Sequence, residues 1–87
     1  MDLSAALQAS ISRICGVPET EVVPTATLEE LGVDSLAAAE IITDVEIRTG
    51  IELPMDILRG LGNLETVGQV IDHLRSAGER PQVAGSQ

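Results

Sequence analysis

No phenylalanine, tyrosine or tryptophan occurs anywhere in these 87 residues. A core built without aromatic rings must be aliphatic, assembled from Leu, Ile, Val, Ala and two Met, and is therefore small and plastic. Lysine is also absent. Five arginines face fourteen acids, for a formal charge of −9. That balance denies the chain the basic footprint a nucleic-acid binder needs. It suits attraction to basic patches on protein partners instead. The single cysteine, Cys15, excludes an intramolecular disulfide and is expected to pack as a small hydrophobe. No apolar run approaches the ~18 residues of a membrane span, and no secretory signal opens the chain. A cytoplasmic monomer with no membrane contact is expected. One histidine, His73, reads as a surface residue and leaves little material for acid–base chemistry.

What is present is enough for one domain. Apolar residues make up 44% of the chain, near the lower size limit for an unaided core. Leu3, Leu7, Ile11 and Ile14 recur at helical spacing, which predicts a first helix over about residues 2–15, stopped by Gly16. Residues 16–34, "GVPETEVVPTATLEELGVD", form a long connection broken by Pro18 and Pro24. Thr27 and Glu30 have capping-box spacing, so one helical turn is expected inside it, with Leu28, Leu31 and Val33 anchoring it to the core. A second main helix follows from Ser35 to Thr49, with Gly50 as its stop. Pro54 opens a brief helix to about Arg59, which Gly60 and Gly62 break. Thr66 and Gln69 repeat the capping-box spacing. Val67, Val70, Ile71 and Leu74 then predict a last helix ending near Gly78. The result is an all-α, small four-helix bundle, three main helices plus one short one, with a long first connection. Residues 1–78 make the domain and "ERPQVAGSQ", 79–87, a flexible tail.

The Ser35–Thr49 helix has apolar residues on two faces. With Ser35 at zero, Ala38, Ile41, Ile42, Val45 and Thr49 fall between about 240° and 340°, the core face. Leu36, Thr43, Ile47 and Glu40 fall at about 80° to 140°, nearly opposite. Helix packing within the domain gives Leu36 and Ile47 no reason to be apolar there. Acids accompany them: Glu40 and Asp44 beside the stripe, Asp34 and Glu46 near its ends. Apolar anchors rimmed by charge make a partner-binding surface, although a merely solvated acidic face is the plainer alternative.

Ser35 admits three readings. A hydrolase nucleophile needs a base, an orienting acid and an oxyanion hole, and neither a G-x-S-x-G elbow nor a second histidine is available. Asp34 as N-cap with Ser35 as an ordinary first-turn residue is sound, but leaves Leu36 unexplained. Covalent modification fits better: a phosphate ester on Ser35 would lie at the positive end of the helix dipole, projecting beside the apolar stripe.

"LGVDSL" (Leu31 to Leu36) followed by "AAAEI" resembles the Gly-x-Asp-Ser-Leu signature of the acyl carrier protein family. The likeness runs over about residues 3–76, through "TATLEELGVDSL", "TGIELP" and "LETVGQVIDHL". The resemblance implies a non-catalytic carrier whose Ser35 bears a covalent 4′-phosphopantetheine. Its terminal thiol would hold acyl groups as thioesters. It implies partners with basic docking surfaces: a phosphopantetheinyl transferase, then acyltransferase, ketosynthase or adenylating and ligase enzymes. The partner face would comprise Asp34, Leu36, Ala39, Glu40, Thr43, Asp44 and Ile47, with Met55 and Ile57 on the short helix as further contacts or core. "LGVDSL" with "TGIELP" is similar to carriers of polyketide pathways, and Arg48 departs from the more uniformly acidic helix end of fatty acid carriers. Aminoacyl or peptidyl carriage, fatty acid synthesis and an unmodified helical adaptor remain as alternatives.

Overall fold

The computed structural model describes residues 2–54 and 56–79, with 78 and 79 described by backbone alone. Met1, Met55 and residues 80–87 lie outside the described residues; the partner contact expected of Met55 falls there, as does the expected tail apart from Glu79, which ends α5.

Three helices form the body: α1 (Leu3–Cys15), α3 (Ser35–Thr49) and α5 (Val67–Glu79). Between them lie a 3₁₀ turn at Glu19–Glu21 and two short helices, α2 (Leu28–Leu31) and α4 (Ile57–Leu61). α1 begins where Asp2 accepts a hydrogen bond from the Ala5 N–H at 2.8 Å, and it lies against α3 and α5. The core face of α3 is the predicted one: Ile41, Ile42 and Val45 are buried. They meet Ala6, Leu7 and Ile11 from α1 and Val67, Val70, Ile71, Leu74 and Ala77 from α5. Burial of each large aliphatic side chain contributes about 1.5–3 kcal/mol before entropy is charged against it.

The long connection is held from inside and from one side. Val22 and Leu31 enter the core, and Leu28 and Val33 pack partly against it. The Thr27–Glu30 capping box is complete: the Glu30 N–H donates to Thr27 Oγ1 at 3.1 Å, and the Thr27 N–H donates to Glu30 Oε1 at 3.0 Å. Those bonds hold the Glu30 carboxyl below the usual carboxylate range. The start of α5 then grips the connection. Its first free N–H groups, on Val67 and Gly68, donate to the carbonyls of Ala26 and Pro24 at 3.0 and 2.9 Å. Thr27 and Thr66 form an isolated antiparallel bridge beside them. A Cβ on Gly68 would sit 3.1 Å from the Pro24 oxygen, so glycine lets the two backbones close. The second box also forms, with Gln69 Oε1 accepting from the N–H groups of Glu65 and Thr66 and Thr66 Oγ1 accepting from Gln69.

α4 differs from expectation. It runs Ile57–Leu61 rather than Pro54–Arg59, and Gly60 lies within it instead of ending it. The reason is packing. His73 on α5 occupies the space a side chain at residue 60 would need, with ring atoms 2.5 and 2.6 Å from an ideal Cβ there. His73 is accordingly half-buried and not a surface residue, its Nε2 3.2 Å from the Ile57 carbonyl oxygen.

Candidate functional site

Ser35 opens α3 because Asp34 caps it. The Asp34 carboxylate accepts from the Ala37 N–H at 2.8 Å, and its backbone carbonyl accepts from the Ala38 N–H at 2.8 Å. The cap fixes Ser35 as the first helical residue, and its side chain is exposed. No acid stands in the first turn, so its remaining N–H groups favour an anion carried on the serine. At the far end Gly50, with φ 75°, takes the left-handed conformation that stops the helix.

A cleft of about 620 Å³ begins beside this serine. Asp34 and Ser35 stand on its rim. Ala38, Ile41 and Ile42 form one wall, Leu58 and Leu61 of α4 the other, and Val70 lies within. Apart from Glu29 and the two rim residues, its lining is apolar. On the opposite side of α3, the outer face is as apolar as the wheel predicts: Leu36 is 72% and Ile47 75% exposed. Glu40 and Thr43 are exposed with them, and Ala39 is half-buried.

Ile57 takes the core alternative, and two of the acids named around the stripe, Asp44 and Glu46, are engaged within the domain. Ile57 is only 4% exposed: its side chain fills the core under α4, and the neighbouring Leu58 reaches the surface instead. Asp44 is no free acid. Its side chain is 13% exposed, and its carboxylate accepts from the buried Ser10 hydroxyl at 2.7 Å, from Arg48 at 2.7 Å and from Arg13 at 3.4 Å. The Arg48 and Ser10 hydrogen bonds, aided by both guanidinium charges, hold its carboxyl below the usual aspartate range. It ties α3 to α1. Glu46 is likewise engaged, accepting from the Leu53 N–H at 2.8 Å and so fixing the chain that leaves α3.

Sequence reasoning missed the α1 side of the site. Arg13 and Ile14 line a groove with Ala39, Glu40, Thr43, Asp44 and Ile47, and only the packing of α1 on α3 brings them together. The i, i+4 spacing of Asp44 and Arg48 was the one local signal of that cluster. Cys15 packs partly against the core, and burial, reinforced by the Asp34 charge, pushes its thiol pKa up. It therefore stays a neutral thiol at neutral pH. Among the described residues no group of three or more His, Cys, Asp or Glu is placed to hold a metal ion.

Comparison with known proteins meets the same region. The family described as the phosphopantetheine attachment site matches residues 5–74. The chain is 36% identical over 66 residues to an acyl carrier protein of Thermobifida fusca, covering 75% of this chain and 80% of that one. It is 30% identical over 87 residues to the meromycolate extension acyl carrier protein of Mycolicibacterium aurum, covering 98% and 87%. Over 65 residues it is 28% identical to the non-reducing polyketide synthase adrD of Penicillium rubens, 75% of this chain but 3% of that protein.

Proposed function

The chain belongs to the acyl carrier family with its phosphopantetheine attachment site, and we propose that Ser35 is the attachment point and that the carrier serves polyketide or mixed natural-product assembly. One observation carries the assignment of the residue: an exposed serine, the first of α3, lies between an apolar cleft and an exposed apolar strip. When attached, the arm supplies a terminal thiol for the acyl thioester. The residues present fit that group. Ser35 offers a hydroxyl open to a modifying enzyme, and the first-turn N–H groups stabilise the phosphodiester charge. Leu36 and Ile47 offer apolar anchors, with Glu40 on the same face to attract basic partners. Tethering then raises the effective concentration of the cargo at each enzyme that docks.

The pathway rests on narrower support: the likeness of "LGVDSL" and "TGIELP" to polyketide carriers, and a polyketide synthase among the relatives. Carriage alone, without chemistry of its own, is part of the same proposal, supported by the carrier proteins among the relatives. Cytoplasmic residence belongs to the same proposal; among the described residues no helix is long and apolar enough to cross a membrane.

The test is intact mass after incubation with coenzyme A, Mg²⁺ and a broad-specificity phosphopantetheinyl transferase. One phosphopantetheine is expected on the wild type and none on Ser35→Ala. A wild type that stays at its apo mass, or a Ser35→Ala protein that gains the group, sinks the assignment. Charging of the modified chain with amino acids alone by an adenylating enzyme would move the cargo to the aminoacyl class and leave Ser35 in place.

A further inference from the structure

Exposed acids gather at the Ser35 end of α3, and an exposed guanidinium stands beside it further along. At the Ser35 end, Glu29, Glu30 and Asp34 are exposed, and Glu40 follows along the helix. Further along, both ion pairs among the described residues converge on Asp44, where one carboxylate meets the guanidiniums of Arg13 and Arg48. In a chain with five arginines against fourteen acids, two of the five meet on one carboxylate. The groove between α1 and α3 includes that carboxylate, with Glu40 and Ile47 on the α3 wall and Arg13 and Ile14 on the α1 wall. Arg13 remains 64% exposed, so its guanidinium faces solvent while touching Asp44 at 3.4 Å.

We propose that this groove gives the docking face a direction: an enzyme working at Ser35 places an apolar side chain between Ile14 and Ile47, a base against Glu40 and an acid against Arg13. The inference rests on the carrier reading and adds the chemistry of the partner segment. Glu40 and Asp44 stand one helical turn apart, so the partner's base and acid are spaced by roughly 6–10 Å. From Leu36 to Ile47 the strip is about 16 Å long, within the reach of an interface burying about 800 Å² on each side. A partner that is merely basic would dock in several registers. One carrying both signs docks in the register that delivers the arm.

The two cases differ in sign. Arg13→Glu makes the carrier more acidic. A uniformly basic partner would use it as well as or better than the wild type, whereas a partner acid facing residue 13 would be repelled. The experiment measures kcat/KM for a phosphopantetheinyl transferase with coenzyme A and Mg²⁺ at low and high ionic strength, on wild type, Arg13→Glu, Arg13→Lys and Glu40→Lys, with thermal unfolding of each. Arg13→Glu and Glu40→Lys are each expected to lower kcat/KM about fivefold at low salt, converging on the wild type at high salt, with Arg13→Lys close to wild type. An Arg13→Glu value equal to or above wild type overturns the proposal, as does a loss that salt leaves untouched. Failure of the wild type to be modified at all strikes the carrier reading itself, a separate outcome.

Discussion

α3 and α5 are both long helices rich in aliphatic residues, and they use them differently. On α5, Val67, Val70, Ile71, Leu74 and Ala77 are all buried, while Gln69, Asp72, Arg75 and Ser76 between them are exposed. On α3, Ile41, Ile42 and Val45 keep 3%, 6% and 0% of their exposure, but Leu36 and Ile47 keep 72% and 75%. α5 is the usual helix of a small bundle, with one stripe turned inward, Gly68 and His73 packed at its flanks and the rest given to water. α3 spends apolar surface on both sides. Exposing Leu36 and Ile47 costs solubility without adding stability, and a second binding event is what makes use of them. The contrast therefore separates residues that hold the fold from residues that await a partner, within one kind of side chain.

The largest expected effect lies on the inward stripes. Leu74→Ala on α5 and Ile41→Ala on α3 should each destabilise the domain by about 2–5 kcal/mol, through lost transfer energy and the cavity left behind. Urea unfolding of the purified variants measures this. Much of the stability of so small a domain is at stake, so partial unfolding at ambient temperature is an expected reading as well. If either variant lost no more than an exposed one, the assignment of faces on that helix would be reversed.

Much of this was legible in the sequence, for local reasons. Asp34 and Gly50 bracket α3 at the predicted residues because a cap and a left-handed stop act within one turn. Both capping boxes formed, and the wheel of α3 separated inner from outer face correctly at Ile41, Ile42, Val45, Leu36 and Ile47. The errors, and the alternative left open at Ile57, fall where a residue answers to a distant one. Gly60 reads as a helix breaker until His73, on another helix, is seen filling its side-chain space. Ile57 and Leu58 are adjacent and both aliphatic, and only the docking of α4 decides that the first is buried and the second is not. Asp44 looked like a surface acid because Ser10, 34 residues earlier, supplies its inner hydrogen bond.

That acid provides an intermediate test. Asp44 is held ionised by Arg48, Ser10 and Arg13, so its folded pKa lies below its unfolded one. A carboxyl lowered on folding contributes stability that is complete above its unfolded pKa of about 4 and is lost as pH falls through the folded value. Wild-type stability should thus fall with acidification below about pH 4 more steeply than that of Asp44→Asn, which has no proton to take up there. At pH 7, Ser10→Ala should cost about 1–2 kcal/mol, since it removes a buried hydrogen bond to a charged group that keeps its arginine partners. Urea midpoints across pH 3–7 check both. Parallel curves for wild type and Asp44→Asn would show that the cluster does not tie α1 to α3.

The smallest change in stability is expected on the outer stripe, and it sharpens the contrast most. Leu36→Ala and Ile47→Ala remove side chains that water already surrounds, so each should shift unfolding by less than about 0.5 kcal/mol. Their effect should appear instead in turnover by docking enzymes, as a loss of about fivefold to thirtyfold in kcat/KM with melting unchanged. The same two measurements on Ile41→Ala should show the reverse order, stability falling first and turnover following only as folded protein is lost. If Leu36→Ala lowered stability like a core residue, the stripe would be packing against the domain itself. If it altered neither property, Leu36 would be a scattered surface apolar residue of the ordinary kind, and α3 would differ from α5 in composition but not in use.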